Sequence, residues 1–197
     1  EHEPQAYERI ASILLPKDYI RYRMSGERFI DVADASGTLL LDVAHRAWSE
    51  EVLSALDIPR AWLPTVTECD VASTGLNADA ARELGLQEGT PIAAGAGDQA
   101  AQAVGSGIVD EGTVCVTIGT SGVVFAPSGA YRPEPRGRLH AFCHAVPGMW
   151  HLMGVMLSAG GSLRWFRDLL GDEFNEHSCY LGKDPYDLLT EEASHIA

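Results

Sequence analysis

The 197-residue sequence predicts a mixed α/β protein in which a helix–strand alternation gives way to an antiparallel run. Three observations carry that expectation. Up to residue 94, helical spacings alternate with short apolar stretches, as at the end of an α/β layer. A glycine turn, Gly95-Ala96-Gly97, then leads into Asp98 and a helix of small residues, Gln99–Val104. After a glycine-rich crossing at Gly105–Gly112, short apolar segments separated by turn residues read as strands, with helices behind them.

Taken in order, Tyr7, Ile10, Ile13 and Leu14 have helical spacing up to the break at Pro16. A second helix begins at Pro16 and ends at Gly26, with its lysine and arginines expected on a solvated face. Phe29–Ser49 carries Asp31, Asp34, Ser36 and Thr38 among small or apolar residues and reads as a turn with hydrogen-bonding caps, the alternative being a polar wall beside a ligand site. Ser49 is placed to cap a helix over Glu50–Leu56, and Asn77 one over Ala78–Leu84 that stops at Gly85. Pro91–Ala94 reads as a short buried strand.

Beyond the crossing, a meander is expected: Thr113–Ile118, Val123–Ala126, Leu139–Val146 and Trp150–Leu157. Gly119-Thr120-Ser121-Gly122 closes its first hairpin and Pro147-Gly148 its last. Ser158–Gly161 opens a helix over Ser162–Leu170 ended by Gly171. The polar stretch 171–184 reads as a mobile loop, and Asp184-Pro185 starts a final helix.

Composition narrows the function classes. A net charge of −14 leaves no basic stripe for nucleic acid, although a single nucleotide can still be held by backbone N–H groups and Mg²⁺. No apolar run reaches bilayer length, and a soluble, cytoplasmic protein is expected. Cys69, Cys115, Cys143 and Cys179 form no C-x-x-C pair and read as reduced, mostly buried thiols. His140, Cys143 and His144 are the one metal-like cluster, but strand alternation sets Cys143 on the opposite face from the two histidines, so joint ligation fits poorly.

The chemistry concentrates in residues 91–124. Gly95 and Gly97 permit backbone conformations closed to other residues and a close ligand approach. Asp98 at a helix start is kept ionised by the dipole and can take a proton from a hydroxyl held against it. Gly119–Gly122 offers peptide N–H groups and two hydroxyls at a bend, a candidate anion nest. The plainer readings are an N-cap for Asp98 and an ordinary hairpin for Gly119–Gly122. Gly95-x-Gly97-x-x-Ala100 also fits a dinucleotide fingerprint, but Asp98 would face the pyrophosphate and no acidic residue follows at the required strand end.

GAGDQAAQAVGSGIV followed by TIGTSGVVF resembles the centre of the FGGY carbohydrate kinase family, and LLPKDYIRYRMSGE, DASGTLLLDVAHRAWS, FCHAVPGMWHLMGVMLSAGGSLRWF and DPYDLLTEEAS look most like its xylulokinase members. The resemblance implies an actin-like, ribonuclease-H-like two-lobe sugar kinase fold, incomplete here. Residues 1–107 would be the C-terminal part of the sugar-binding lobe and residues 108–197 the N-terminal part of the nucleotide-binding lobe. It implies ATP-dependent phosphorylation of a ketose, D-xylulose to D-xylulose 5-phosphate. Asp98 would be the general base, Gln99 would help hold the sugar, and Gly119, Thr120, Ser121 and Gly122 would embrace the ATP phosphates, with Mg²⁺ as the metal. The family's first phosphate loop and its adenosine motif are not found, so the chain reads as an interior segment with little or no kinase activity by itself. A non-catalytic folded fragment stays the alternative. Sugar and ATP are the expected partners, nucleic acid and membrane are not, and a homodimer is left open.

Overall fold

The computed structural model describes residues 2–196. Its elements run α1 (Pro4–Tyr7), α2 (Pro16–Ser25), β1 (Phe29–Asp31), α3 (Val32–Ser36), β2 (Leu41–Asp42), β3 (Ala47–Trp48) and α4 (Glu50–Ala55), followed by a 3-10 turn at Arg60–Trp62. Then come β4 (Thr65–Thr67), β5 (Ala72–Gly75), α5 (Ala78–Leu84), β6 (Pro91–Ala93) and α6 (Asp98–Gly105). The remainder is β7 (Cys115–Ile118), β8 (Gly122–Ser128), β9 (His140–Cys143), β10 (Trp150–Met156), α7 (Gly160–Leu169), α8 (Gly171–Leu181) and α9 (Pro185–Ser194).

The chain forms two compact units, 1–114 with 125–153 and 115–124 with 154–197. They interleave along the sequence, whereas the boundary expected between residues 107 and 108 is a single cut between lobes.

The first unit is built on local signals that the chain obeys. Ser49 Oγ accepts the Val52 N–H and Asn77 Oδ1 the Ala80 N–H, each satisfying an orphan donor at a helix start. Gly26 and Gly85 end α2 and α5 in the left-handed conformation that a residue with a Cβ resists. β1 pairs parallel with β4, Ile30 opposite Val66, and β2 pairs antiparallel with β3. Ile30, Val32, Leu41, Trp48, Leu53 and Leu63 pack into one core, joined by Ala100 from α6 and Cys143 from β9. Polar atoms inside it are paired: Trp48 Nε1–H donates to the Pro64 carbonyl at 2.8 Å, and Ser36 Oγ accepts the Cys143 N–H at 3.1 Å. Arg46 forks onto Glu68 at 2.7 and 2.6 Å, donates to the Met149 carbonyl and lies over the Trp150 ring.

Several expectations are corrected here. The first helical spacing yields only α1, and residues 8–15 run without a helix. The stretch at Phe29–Ser36 is a strand and a short helix, because the Asp31 carboxylate caps α3 through the Asp34 N–H. The strand at Pro91 is half-exposed, because among the described residues β5 is its one strand neighbour and pairs with it antiparallel. That pairing is also not the parallel order of a dinucleotide-binding βαβ unit. The last four strands are not a simple meander. Their order is β7-β8-β10-β9, so the loop over residues 129–139 carries β9 to the edge and β10 returns beside β8. Finally, the expected loop at 171–184 holds α8, ended by Gly182 in the left-handed conformation and packed with α7 and α9.

In the second unit the Gly119–Gly122 turn docks on the start of α7. The Gly160 N–H donates to the Gly119 carbonyl at 3.0 Å, and the Ala159 and Gly161 N–H groups donate to the Thr120 carbonyl at 2.8 and 3.0 Å. A Cβ on Gly160 would lie 2.5 Å from the Gly119 carbonyl oxygen, so this approach requires glycine.

Candidate functional site

Asp98 is the first residue of α6 and is exposed, with Oδ1 accepting the Gln99 N–H at 2.8 Å. Gly95, at φ 80°, makes the turn that brings the chain from β6 to this point. Asp98 and Gln99 line a cavity of about 100 Å³ together with Asp34, Gly97, Phe142 and His151. A Cβ on Gly97 would stand 3.2 Å from Asp34 Oδ1, so glycine at 97 is what lets α3 and the Asp98 turn meet closely.

Asp34 is a carboxylate of this cavity, in the segment that the sequence favours as a capping turn and offers second as a polar wall near the site. Burial raises its pKa, the Asp31 carboxylate adds to the effect, and Lys17 opposes it. Asp98 contributes in the same direction as Asp31, the electrostatic sign that two acids share one site. The signal for Asp34 was present as an acid three residues after a helix-capping acid, but nothing local says which way it points.

Beneath the turn lies a charge cluster. Lys17 Nζ stands 2.7 Å from Asp31 Oδ2, 2.8 Å from Asp18 Oδ1 and 3.8 Å from Asp34 Oδ2, and Arg21 Nη2 is 3.2 Å from Asp18 Oδ1. Asp18, Arg21 and Asp31 are buried. The expectation of a solvated basic face is therefore wrong for Lys17 and Arg21, which face inward to the acids of α2 and β1. Burial alone would lower the Lys17 pKa, but Asp31 and Asp18 outweigh it and raise the ammonium above its ordinary value.

On the β9–β10 side, His151 is buried and stacks on Phe125 with ring centroids 4.2 Å apart. Burial, reinforced by His144, pushes its pKa down to about 3, so the ring is neutral at ordinary pH. His144 is likewise buried, with Nε2 3.2 Å from the Ile108 carbonyl and Nδ1 accepting the Val146 N–H at 2.9 Å. These bonds occupy both ring nitrogens of His144.

The second group of expected site residues lies in the other unit. Gly119, Thr120 and Ser121 are exposed and Gly122 is half-buried. Gly119 and Thr120 line an open cavity of about 300 Å³ with Ile118, Gly160, Leu163, Arg164 and Tyr186. The Gly119 N–H is already donated to the Ser121 carbonyl at 2.8 Å, so that donor belongs to the turn itself. Tyr186 is held by Arg167, whose Nη1 donates to its hydroxyl at 2.8 Å.

Comparison with known proteins places these features in a family. The chain is 45% identical over 170 residues to the xylulose kinase of Escherichia coli (strain K12), an alignment covering 86% of this chain and 35% of that protein. Among solved structures, a xyloylose kinase from Brucella ovis matches with a TM-score of 0.82 and 41% identity, over 96% of this chain and 37% of that one. The xylulose kinase of Rhodospirillum rubrum matches at 0.80 and 30% identity, over 86% of this chain and 34% of that one. The chain thus spans about a third of the length of the relatives it matches. Its mixed α/β architecture is part of the actin-like sugar kinase fold. Residues 1–105 match the N-terminal domain of the FGGY family of carbohydrate kinases, and the chain belongs to that family.

Proposed function

We propose that the protein to which this chain contributes phosphorylates a ketose with ATP, and that D-xylulose is the sugar. The observation that carries the reading is the cavity at the head of α6, where an exposed carboxylate on a glycine-built turn stands beside Gln99 and Asp34. Asp98 accepts the proton of the terminal sugar hydroxyl as that oxygen attacks the γ-phosphorus, and the bond from phosphorus to the β,γ-bridging oxygen breaks. Gln99 holds the sugar through its amide. The turn Gly119–Gly122 receives the phosphates through the exposed Thr120 and Ser121, and Arg164, lining the same cavity, supplies positive charge. Mg²⁺ would be held through substrate phosphates, waters and one carboxylate, and Asp34, which lines the first cavity, fits that place while Asp98 stays free to take the proton. When bound it neutralises charge on the phosphates.

The test is Asp98→Asn in the full-length protein, assayed with D-xylulose and ATP. Loss of a general base should lower kcat by about 10²–10⁴-fold with sugar binding retained. A fall of less than about tenfold removes Asp98 from that role.

The second reading concerns the chain as it stands. Because it spans about a third of its relatives, we propose that the isolated chain folds without catalysing the reaction. Assaying it beside the full-length protein decides this, and turnover at a comparable rate would refute it.

A further inference from the structure

We infer that Lys17 is a positioning residue for the Asp98 turn, an inference that rests on the reading of Asp98 as the base. The Lys17 ammonium stands where three elements distant in sequence converge. It reaches Asp18 on its own helix α2 and Asp31 at the end of β1, and it donates to the carbonyl of Ala94, just past β6, at 3.4 Å. Its Cδ lies 3.7 Å from the point where a Cβ on Gly95 would stand.

The same turn is tied from its other side. The Ala94 N–H donates to the Val71 carbonyl at 2.9 Å and the Gly95 N–H to the Cys69 carbonyl at 3.0 Å. Cys69 Sγ–H in turn donates to Asp31 Oδ1 at 3.4 Å, the oxygen that also accepts the Asp34 N–H and caps α3. Asp31 is thus shared between Lys17 and the two segments that flank the Asp98 turn. Gly97 closes the arrangement by packing against Asp34. A catalytic carboxylate has to be held to within a fraction of an ångström, and misplacement by about 1 Å costs on the order of a hundredfold in rate.

A compact ammonium with three divergent donors fits this junction. A planar guanidinium keeps the charge but not the geometry. Lys17→Arg therefore retains a cation for the buried Asp18 and Asp31, while its longer, broader head displaces the Ala94 carbonyl contact. Lys17→Met leaves those carboxylates without it and loses stability as well.

Both variants, and Asp98→Asn, are made in the full-length protein and assayed with D-xylulose and ATP. Rates are expressed per folded molecule, with the folded fraction taken from circular dichroism and thermal unfolding. Lys17→Arg is expected to unfold within a few degrees of wild type yet lose about tenfold or more in kcat, with KM for sugar and for ATP within about threefold. Lys17→Met is expected to lose about a hundredfold in kcat per folded molecule. A purely structural role would leave kcat per folded molecule unchanged in Lys17→Arg, and that result overturns the inference. A loss confined to KM, or failure of both variants to fold, overturns it as well. If Asp98→Asn is inert while Lys17→Arg is fully active, only the positioning role fails. An active Asp98→Asn removes the base assignment, and the positioning role falls with it.

Discussion

Trp48 and Trp165 sit in regions that use apolar side chains in opposite ways. Trp48 is 6% exposed, hydrogen-bonded through its indole N–H and enclosed by Ile30, Leu41, Leu53 and Leu63. Trp165, on α7, is 64% exposed, and Leu163, Phe166 and Leu169 of the same helix are exposed with it. The first unit therefore owns a core that fixes its strands. The second unit has three helices packed on one another and a hairpin tip docked by hydrogen bonds, with much apolar surface facing outward. Local helix and turn signals are sufficient to shape a segment, but only buried area makes it cooperative.

That contrast can be broken most strongly at Trp48. Trp48→Ala removes a large buried ring and leaves the Pro64 carbonyl without its donor, so a loss of about 3–5 kcal/mol in urea unfolding is expected. A loss below about 1 kcal/mol would mean the first unit does not depend on this core.

Acid is the next lever. His151 has its folded pKa depressed from 6.5 to about 3, so burying it neutral contributes stability that is present above pH 6.5 and lost as pH falls toward 3. Each unit of separation is worth about 1.4 kcal/mol, which makes the full effect a few kcal/mol. Comparing wild type with His151→Phe at pH 7 and pH 4, the variant should lose less stability on acidification. The remaining loss comes partly from His144, whose pKa burial also lowers. Equal losses in the two proteins would contradict a neutral buried ring.

In the second unit, Gly160→Ala puts a methyl group 2.5 Å from the Gly119 carbonyl oxygen. Backbone has to shift there, at a cost of about 1–3 kcal/mol. Faster amide exchange at Ala159–Gly161 and weaker ATP binding by the full-length protein are the expected signs, and unchanged exchange would mean the hairpin does not rest on α7.

Asp34→Asn should give a smaller effect of opposite sign. The folded pKa of Asp34 is raised, so stability is lost as pH rises from the unfolded pKa of 3.8 through the folded value, the full cost is present above that value, and none is present below 3.8. The melting temperature of Asp34→Asn should therefore exceed wild type at pH 7, and the gap should close as pH falls below 3.8. Smallest of all, Trp165→Ala should change stability by less than about 0.5 kcal/mol, since the ring leaves little buried surface behind.

Where the determinants were local, the sequence was readable. Ser49 and Asn77 cap helices because a short side-chain oxygen reaches a backbone donor three residues on. Gly26 and Gly85 end α2 and α5 because only glycine enters the left-handed region cheaply. Asp98 at the head of α6 and the turn at Gly119–Gly122 were legible for the same reason, as glycine punctuation between periodic segments. The helix α8 was missed because Gly171, Asn175 and Ser178 lower its propensity, and contact with α7 and α9 overrides that.

The amino-acid sequence by itself determined the α/β class, the helix caps, the glycine turns and the family, since each is set within a few neighbouring residues or by a motif. Tertiary structure alone decided that Lys17 meets Asp31 and the carbonyl of Ala94, 77 residues away, that Asp34 joins Asp98 in one cavity, and that β10 lies between β8 and β9. The physical reason is range. A cap or turn is chosen by bonds within a few residues, whereas a buried ion pair or a strand order depends on which distant surfaces exclude water together.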